Sequence, residues 1–361
     1  MIRLERRRRQ SRAWALATPV LAVCATVATG MVMFALLGKD PVEAIRTIFW
    51  APLFDPNLAS YARPQILVKA APLVLIAIGL SLGFRANIWN IGAEGQYIMG
   101  AIAGGATALA LYPLDAWWIF PLMITAGIAG GVAWAMVPAL LKIRFNANEI
   151  LVSLMLVYVA EQLLASVSIG LLRNPDGIGF PGSRNLQHYE SAANSELITG
   201  TGIHTGVIAA IAVALMVHAL LRLHRLGFQI RLAGLSARSA AHSGANPKRL
   251  TAICLAAGGG LAGLAGIFEL AGPAGQLTID FNVGYGFTAI IVAFLGRLNP
   301  LGIVLAGLLM ALTYIGGEMA QFMLNLPAAA IQAFQGMLLF FLLSMDFLSR
   351  FRIAFGTARI N

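Results

Sequence analysis

The sequence predicts an all-α polytopic membrane protein of about ten transmembrane helices, and three observations lead to that prediction. First, 59% of the 361 residues are hydrophobic and only 11% are charged, whereas soluble domains carry about 25% charged residues. Second, apolar runs follow one another along the chain, and most are too long for the core helices of a soluble domain. Third, the polar residues that interrupt these runs are concentrated at a few junctions. We therefore interpret residues 1–361 as a single transmembrane domain.

Ten apolar runs bounded by polar or turn residues are candidate spans. They lie at about 13–37, 66–84, 95–112, 117–141, 149–172, 204–223, 251–270, 285–296, 301–320 and 328–348. The run 285–296 is short for about 30 Å of hydrocarbon, so we expect a half-helix or a span packed inside protein. The run 13–37 is longer than the apolar region of a signal peptide, which predicts an uncleaved first span.

The positions of lysine and arginine predict the orientation. If the N-terminus is cytoplasmic, 19 of the 25 basic residues fall on cytoplasmic segments, as the positive-inside rule requires. The basic N-terminus 1–12 and the C-terminus 349–361 are then both cytoplasmic. The net charge of +10 is accordingly a signal of topology, and it does not indicate binding to nucleic acid.

A first polar interruption, GFRANIWNIGAEGQ, occupies residues 83–96. Irregular polar backbone at membrane depth is tolerated only beside protein or a water-filled cavity. The interruption therefore predicts part of a translocation path, and its candidate path residues are Asn87, Asn90, Glu94 and Gln96. For Glu94 the alternative is an electrostatic role at a helix N-terminus.

A second interruption, GPAGQLTIDFNVGYG, occupies residues 272–286 and contributes the candidates Asp280 and Asn282. Interrupted segments in two oppositely oriented halves are typical of transporters with inverted repeats. Glu161, near the middle of the fifth run, either lines the path or pairs with a polar neighbour. Glu269 is close to the end of its run, where we expect it to reach the interface or contact a loop.

Two hydrophilic connections stand between runs. The loop 173–203 is predicted to be external, and either docks an external partner or is simply solvated. The segment 222–249, which we call the coupling segment, has six basic residues and no acidic one. Its arginines suit an acidic groove on a cytoplasmic partner, although contact with phospholipid would also explain them. The candidate coupling residues are Arg231, Gly234, Arg238, Ala240, Ala241 and Gly244.

Some familiar motifs indicate packing and not chemistry. Gly258, Gly260 and Gly263 match G-x-G-x-x-G, but they fall inside an apolar run with no preceding strand. Gly259 and Gly263 instead predict a close contact between helices. The sequence has no G-x-x-x-x-G-K-[ST] motif, so ATP-driven transport would need another chain to hydrolyse ATP. No catalytic, metal or cofactor site is indicated.

Four stretches carry a resemblance to a known family. They are NIWNIGAEGQYIMGA (87–101), ANEILVSLMLVYVA (147–160), GFQIRLAGLSARSAAHSGAN (227–246) and GYGFTAIIVAFLGRLNPLGI (284–303). With them the chain resembles permease subunits of bacterial ABC importers in the branched-chain amino acid and ribose-type superfamily. It is most similar to the nucleoside branch, often described as simple-sugar permeases, which works with Bmp-type lipoproteins.

The resemblance implies a permease of the type II importer kind in the bacterial inner membrane. Its implied partners are two cytoplasmic ATP-binding subunits, a second permease that is a paralogue or a copy of itself, and an external substrate-binding lipoprotein or periplasmic protein. The implied solutes are nucleosides, with a simple sugar such as ribose as the alternative. An ion-coupled secondary transporter that uses Glu161 as its coupling group is a further alternative.

Overall fold

The structure, a computed structural model, describes residues 2–6, 12–177 and 179–355. For residues 2–6, 12–16, 237, 238, 343 and 346–355 it describes the backbone alone. Within these ranges the regular structure is helical, apart from one antiparallel ribbon formed by Ile2–Arg6 (β1) and Phe351–Phe355 (β2). The body of the described chain thus agrees with the predicted all-α class.

The helices of the described chain are short around residues 41–54, 225–242 and 285–295 and longer elsewhere. In order they are α1 Arg12–Leu36, α2 Pro41–Ile45, α3 Ala51–Phe54, α4 Ala59–Arg85, α5 Ala93–Leu111, α6 Ile119–Phe145, α7 Glu149–Ile169, α8 Thr205–Leu223, α9 Arg225–Leu235, α10 Ala237–His242, α11 Pro247–Glu269, α12 Tyr285–Leu295, α13 Pro300–Leu324 and α14 Ala328–Arg350. Two π-helical turns, Arg46–Trp50 and Leu270–Ala274, and one 3-10 turn, Leu186–His188, complete the set.

Each of the ten predicted runs coincides with one of these helices, although several helices extend beyond the apolar run. Of the helices in the described ranges, seven are long and apolar enough to cross a membrane, namely α1, α4, α6, α7, α8, α11 and α13. Helix α12 and the apolar part of α14 are shorter. Seven such helices agree with a polytopic protein, and the count of about ten spans stays a prediction.

The chain divides into two compact units. The first comprises Met1–Ala62 with Leu312–Asn361, and the second comprises Arg63–Ala311. In the first unit, the Phe34 and Phe334 rings stack with centroids 5.8 Å apart, within a core that also contains Ile48. Aromatic stacking and burial of apolar area hold these helices together.

The second unit is built around a tight crossing of α5, α6 and α11. A Cβ added to Gly263 would come within 2.3 Å of the Gly127 carbonyl oxygen, and one on Gly131 within 2.1 Å of the Gly259 carbonyl oxygen. Gly100 likewise has no room for a Cβ, because the Cα of Gly263 would be 2.2 Å away. Small residues let helix backbones approach this closely, so the packing role predicted for Gly259 and Gly263 is confirmed.

Two breaks interrupt the helices of this unit. The first, residues 86–92, separates α4 from α5, and the second, residues 270–284, separates α11 from α12. Helix α12 has 11 residues and is therefore only about 16 Å long. This length confirms the short helix that the sequence predicts, and most of its residues are buried inside the unit.

Candidate functional site

The first break begins with a helix-ending turn at Asn87. Asn87 has a left-handed backbone with φ +60°, and the amide of Ile88 donates to the carbonyl of Gly83 at 2.9 Å. This is the hydrogen-bond pattern that closes many helix C-termini, and asparagine tolerates the left-handed conformation well. The Asn87 side chain is exposed and accepts a long bond from Trp89 Nε1, at 3.4 Å.

Asn90 and Gln96 hold the break against the start of α5. The Asn90 Nδ2 donates to Gln96 Oε1 at 2.9 Å, and the Gln96 Nε2 donates back to Asn90 Oδ1 at 3.1 Å. The backbone amide of Gly92 also donates to Asn90 Oδ1. Both side chains are buried, so this reciprocal pair satisfies polar groups that would be costly to leave unpaired. Two of the predicted path residues thus shape the break.

Glu94 joins the two breaks. Its side chain is 1% exposed; Oε1 accepts from the amide of Gly284 at 3.0 Å, and Oε2 accepts from the amide of Gly286. These amides belong to the N-terminus of α12, while Glu94 itself lies in the first turn of α5. Helix N-termini carry partial positive charge and unpaired N–H groups. One carboxylate therefore serves two helix N-termini, which matches the alternative role predicted for this residue.

The second break turns back into the unit before α12 begins. Residues 281–286 return to α5, where the Phe281 ring stacks on Tyr97 with centroids 5.2 Å apart. The Asn282 Nδ2 donates to Glu161 Oε1 at 3.0 Å, so these two path candidates meet. Asp280 is exposed. Of the acidic candidates, Glu94 and Glu161 are therefore the two with partners on the breaks.

A polar cluster that the sequence pattern does not predict lies beside Glu94. The Lys69 Nζ donates to the Tyr285 hydroxyl at 3.0 Å, and that hydroxyl donates to Glu269 Oε1 at 3.3 Å. Among the described residues, Glu269 Oε2 and the Tyr97 hydroxyl are buried without a hydrogen-bond partner. The expectation that Glu269 reaches an interface or a loop is wrong, because the chain turns back beyond it. An ionisable Lys69 inside an apolar run was the signal that could have revealed the cluster.

The loop 173–203 runs along the second break, and it is more than a solvated connection. The amide of Ser183 donates to the Leu277 carbonyl at 2.9 Å, and the amide of Asn194 to the Ala271 carbonyl at 2.8 Å. The side chain of Gln187 adds a bond to the carbonyl of Gly272 at 2.5 Å. Backbone groups freed by the break find their partners here, so loop and break form one ordered region.

A polar cavity of about 640 Å³ lies between this loop, the broken end of α11 and α4. Val68 lines it, and the next residue in α4, Lys69, belongs to the polar cluster around Tyr285. Ala271 lines it from the second break. The cavity is therefore adjacent to the second break.

The coupling segment forms the short helices α9 and α10. On one face of α9, a Cβ on Gly234 would come within 2.0 Å of the carbonyl oxygen of Arg85, where α4 ends and the first break begins. The other face carries four exposed residues, Arg225, Phe228, Arg231 and Leu235. An unpartnered face that mixes large apolar and basic side chains is typical of a docking surface.

The remaining coupling candidates lie on α10. Ala240 is buried, whereas Ala241 and Gly244 are exposed; Gly244 ends the helix in a left-handed conformation with φ +81°. The side chain of Arg238 lies outside the described part of the chain. Over the described residues, no group of three His, Cys, Asp or Glu side chains could hold a metal ion.

Comparisons with known proteins place the chain in a family. Residues 63–343 match the family described as branched-chain amino acid transport system / permease component. The glucose ABC transporter permease protein TsgB13 of Haloferax volcanii is 33% identical over 98% of this chain and 93% of its own length. The guanosine ABC transporter permease protein NupP of Bacillus subtilis is 27% identical over 86% of each chain. The nucleoside ABC transporter permease protein NupB of Lactococcus lactis is 23% identical over 82% of each.

ABC transporters of this family combine permeases with ATP-binding subunits and substrate-binding proteins, and ATP hydrolysis belongs to the ATP-binding subunits. The seven long apolar helices of the described chain make a multi-pass membrane protein. The chain therefore belongs to the family of branched-chain amino acid transport system permease components, as the permease subunit of an ABC transporter.

Proposed function

We propose that this permease imports nucleosides across the bacterial cytoplasmic membrane, driven by ATPase subunits that dock on α9. The observation that carries the proposal is the position of α9. One face of this helix is exposed and basic, while Gly234 on the other face lies against Arg85 at the first break. Movement of a docked ATPase would therefore be transmitted through α9 to the first break, without an intervening flexible loop.

The path in this proposal runs between the two breaks. Glu94 links the N-termini of α5 and α12, so tilting either helix changes the position of the other. Asn282 and Glu161 form a second contact that must adjust with it. Broken helices whose N-termini meet inside a bundle are the arrangement in which many transporters bind solute. The path residues in the proposal remain Asn87, Asn90, Glu94, Gln96, Glu161, Asp280 and Asn282.

The orientation in this proposal follows the positive-inside rule. Both termini and the coupling segment are cytoplasmic, and the loop 173–203 is external. A second permease, either a paralogue or another copy of this chain, completes the membrane channel, and an external binding lipoprotein or periplasmic protein delivers the solute. The alternative of an ion-coupled transporter loses its support, because the chain belongs to a family of ABC permeases.

A simple sugar is the second candidate solute. The glucose permease relative is 33% identical to this chain, compared with 27% for the guanosine permease.

An uptake experiment decides between the two solutes. The tagged permease is purified from native membranes with its bound subunits and reconstituted in liposomes together with the external binding protein. We expect ATP-dependent uptake of radiolabelled guanosine that unlabelled nucleosides inhibit and glucose does not. Uptake of glucose alone would replace the nucleoside assignment, and ATP-independent uptake by the permease alone under an ion gradient would overturn the ABC mechanism.

Reversing one charge on α9 should uncouple the transporter. Arg231→Glu places an acidic group where an acidic partner groove is proposed, and like charges at an interface cost several kcal/mol. We expect solute-stimulated ATP hydrolysis to fall by roughly tenfold or more while the permease still inserts in the membrane. The control is Lys248→Glu, which makes the same charge change at an exposed position of the same segment. Normal stimulation in Arg231→Glu would count against docking on α9, and Arg238→Glu tests whether α10 contributes.

A further inference from the structure

Two side chains that line the polar cavity beside the second break carry buried donor atoms that nothing in the described chain satisfies. Asn194 is 6% exposed and His204 is 2% exposed, and both line the cavity. The Nδ2 of Asn194 and the Nε2 of His204 have no hydrogen-bond partner among the described residues. A buried donor without a partner costs about 1–3 kcal/mol. Two of them in one cavity point to a partner that comes from outside the chain.

In each side chain, the hydrogen bonds accepted by the second polar atom show that the unpaired nitrogen is a donor. The Asn194 Oδ1 accepts from both the amide and the hydroxyl of Thr205, so the amide nitrogen is turned away from the helix. The His204 Nδ1 accepts from the amide of Gly206 at 3.1 Å, so Nε2 carries the ring proton. Both groups therefore offer an N–H to an acceptor.

The charge of the cavity limits what can bind. Glu190 and Glu196 are among its lining residues, and the described lining includes no lysine or arginine. A phosphate or carboxylate group would find no lysine or arginine in this lining and would be repelled by the glutamates. The volume of about 640 Å³ is within the roughly 300–1,000 Å³ range of small-molecule sites.

We propose that this cavity is a recognition site for the uncharged solute as it enters the permease, with Asn194 Nδ2 and His204 Nε2 donating to solute oxygen or ring nitrogen atoms. The chemical class is a neutral solute rich in acceptors, such as a nucleoside or a sugar, and phosphorylated forms are rejected. The inference rests on the proposed import function. It adds a specificity site that the loop 173–203 forms together with the second break and α4.

The solute reaches the donors when the second break moves. In this conformation both donor atoms are shielded from solvent, and the His204 ring stands against Gly272, where a Cβ would come within 3.0 Å of Cδ2. The amide of Asn194 is bonded to the carbonyl of Ala271, so loop and break shift together. Entry of the solute is thereby coupled to movement of the second break, which leads into α12.

The test removes each donor and keeps the hydrogen bond on its other side. Asn194→Asp retains an oxygen for Thr205, and His204→Asp retains an oxygen for the amide of Gly206 without an N–H donor, since aspartate is a good helix N-cap. In the reconstituted complex we expect each variant to raise the KM for uptake roughly 3- to 10-fold, the value of one hydrogen bond. The double variant should raise it further, while subunit assembly is unchanged. The control Asn174→Asp makes the same substitution in the same loop, where the Asn174 Oδ1 accepts from the backbone amide of Asp176.

A measurement on the unaltered complex supplements the variants in case one of them fails to assemble. Guanosine and guanosine monophosphate compete against uptake of radiolabelled solute, and we expect the monophosphate to inhibit at least roughly tenfold more weakly. Equal inhibition by the two compounds, or an unchanged KM in an assembled double variant, would overturn the site. If the complex takes up glucose and not nucleosides, the proposed solute fails, but the KM of the variants for glucose still tests the cavity.

Discussion

Gly263→Ala should abolish the folded permease. The added Cβ would come within 2.3 Å of the Gly127 carbonyl oxygen and 3.1 Å of Gly131 Cα. Both contacts are with backbone, so no side chain can rotate away, and α11 must separate from α6. Contacts between closely packed helices, more than hydrophobic burial, hold helices together in a membrane. We expect the variant to aggregate on detergent extraction, as measured by size-exclusion chromatography of a fluorescent fusion.

Gly336→Ala is the matched control for that experiment. It makes the same change in another apolar helix, α14, where an added Cβ has nothing within 4 Å. We expect a monodisperse protein with a thermal midpoint equal to or slightly above that of the parent, because alanine favours a helix by up to about 1 kcal/mol over glycine. A monodisperse Gly263→Ala protein would show that the crossing of α6 and α11 can widen at little cost.

The helices could be predicted from the sequence because apolar length and polar boundaries are local properties. All ten predicted runs coincide with helices, and the contact of Gly259 and Gly263 followed from small residues in an apolar run. The short α12 was predictable for the same reason. The boundaries were less accurate where a helix continues past the membrane-length run, as α4 does by beginning at Ala59.

The partners in the candidate site could not be predicted, since they are distant in sequence. Glu94 bonds to Gly284, 190 positions away, and Lys69 bonds to Tyr285, 216 positions away. Periodicity in the sequence shows which residues share a helix face. It does not show which helices are neighbours, and these pairs depend on that. The polar residues of the breaks were recognisable as a class, but their roles were not.

The error about Glu269 has a specific physical cause. Position near the end of an apolar run indicates an interface only if the chain leaves the bundle there. Here a π-helical turn, Leu270–Ala274, follows α11, and the chain then returns to α5 at Phe281. The loop 173–203 covers this excursion with backbone hydrogen bonds. A re-entrant segment therefore buries a residue that a linear count places at the surface.

Glu94→Ala should eliminate transport and strongly destabilise the complex. The substitution leaves the amides of Gly284 and Gly286 without acceptors in a buried site, and each buried donor left unsatisfied costs about 1–3 kcal/mol. It also removes the side chain that links the N-termini of α5 and α12. We expect a large fall in the thermal midpoint of the purified complex and no ATP-dependent uptake.

Glu94→Gln tests whether both carboxylate oxygens are needed at this position. It keeps one acceptor oxygen, but its NH2 group faces the backbone amide that the second oxygen accepts from, so we expect it to restore only part of the stability. Glu149→Gln is the comparison, because Glu149 is also buried but pairs with the part-exposed side chain of Lys142 and not with the N-terminus of a second broken helix. If Glu94→Ala proved no more harmful than Glu149→Gln, the carboxylate would not be what joins the breaks, and helix movement would have to pass from α5 to α12 through Tyr97, Phe281 and Tyr285 instead.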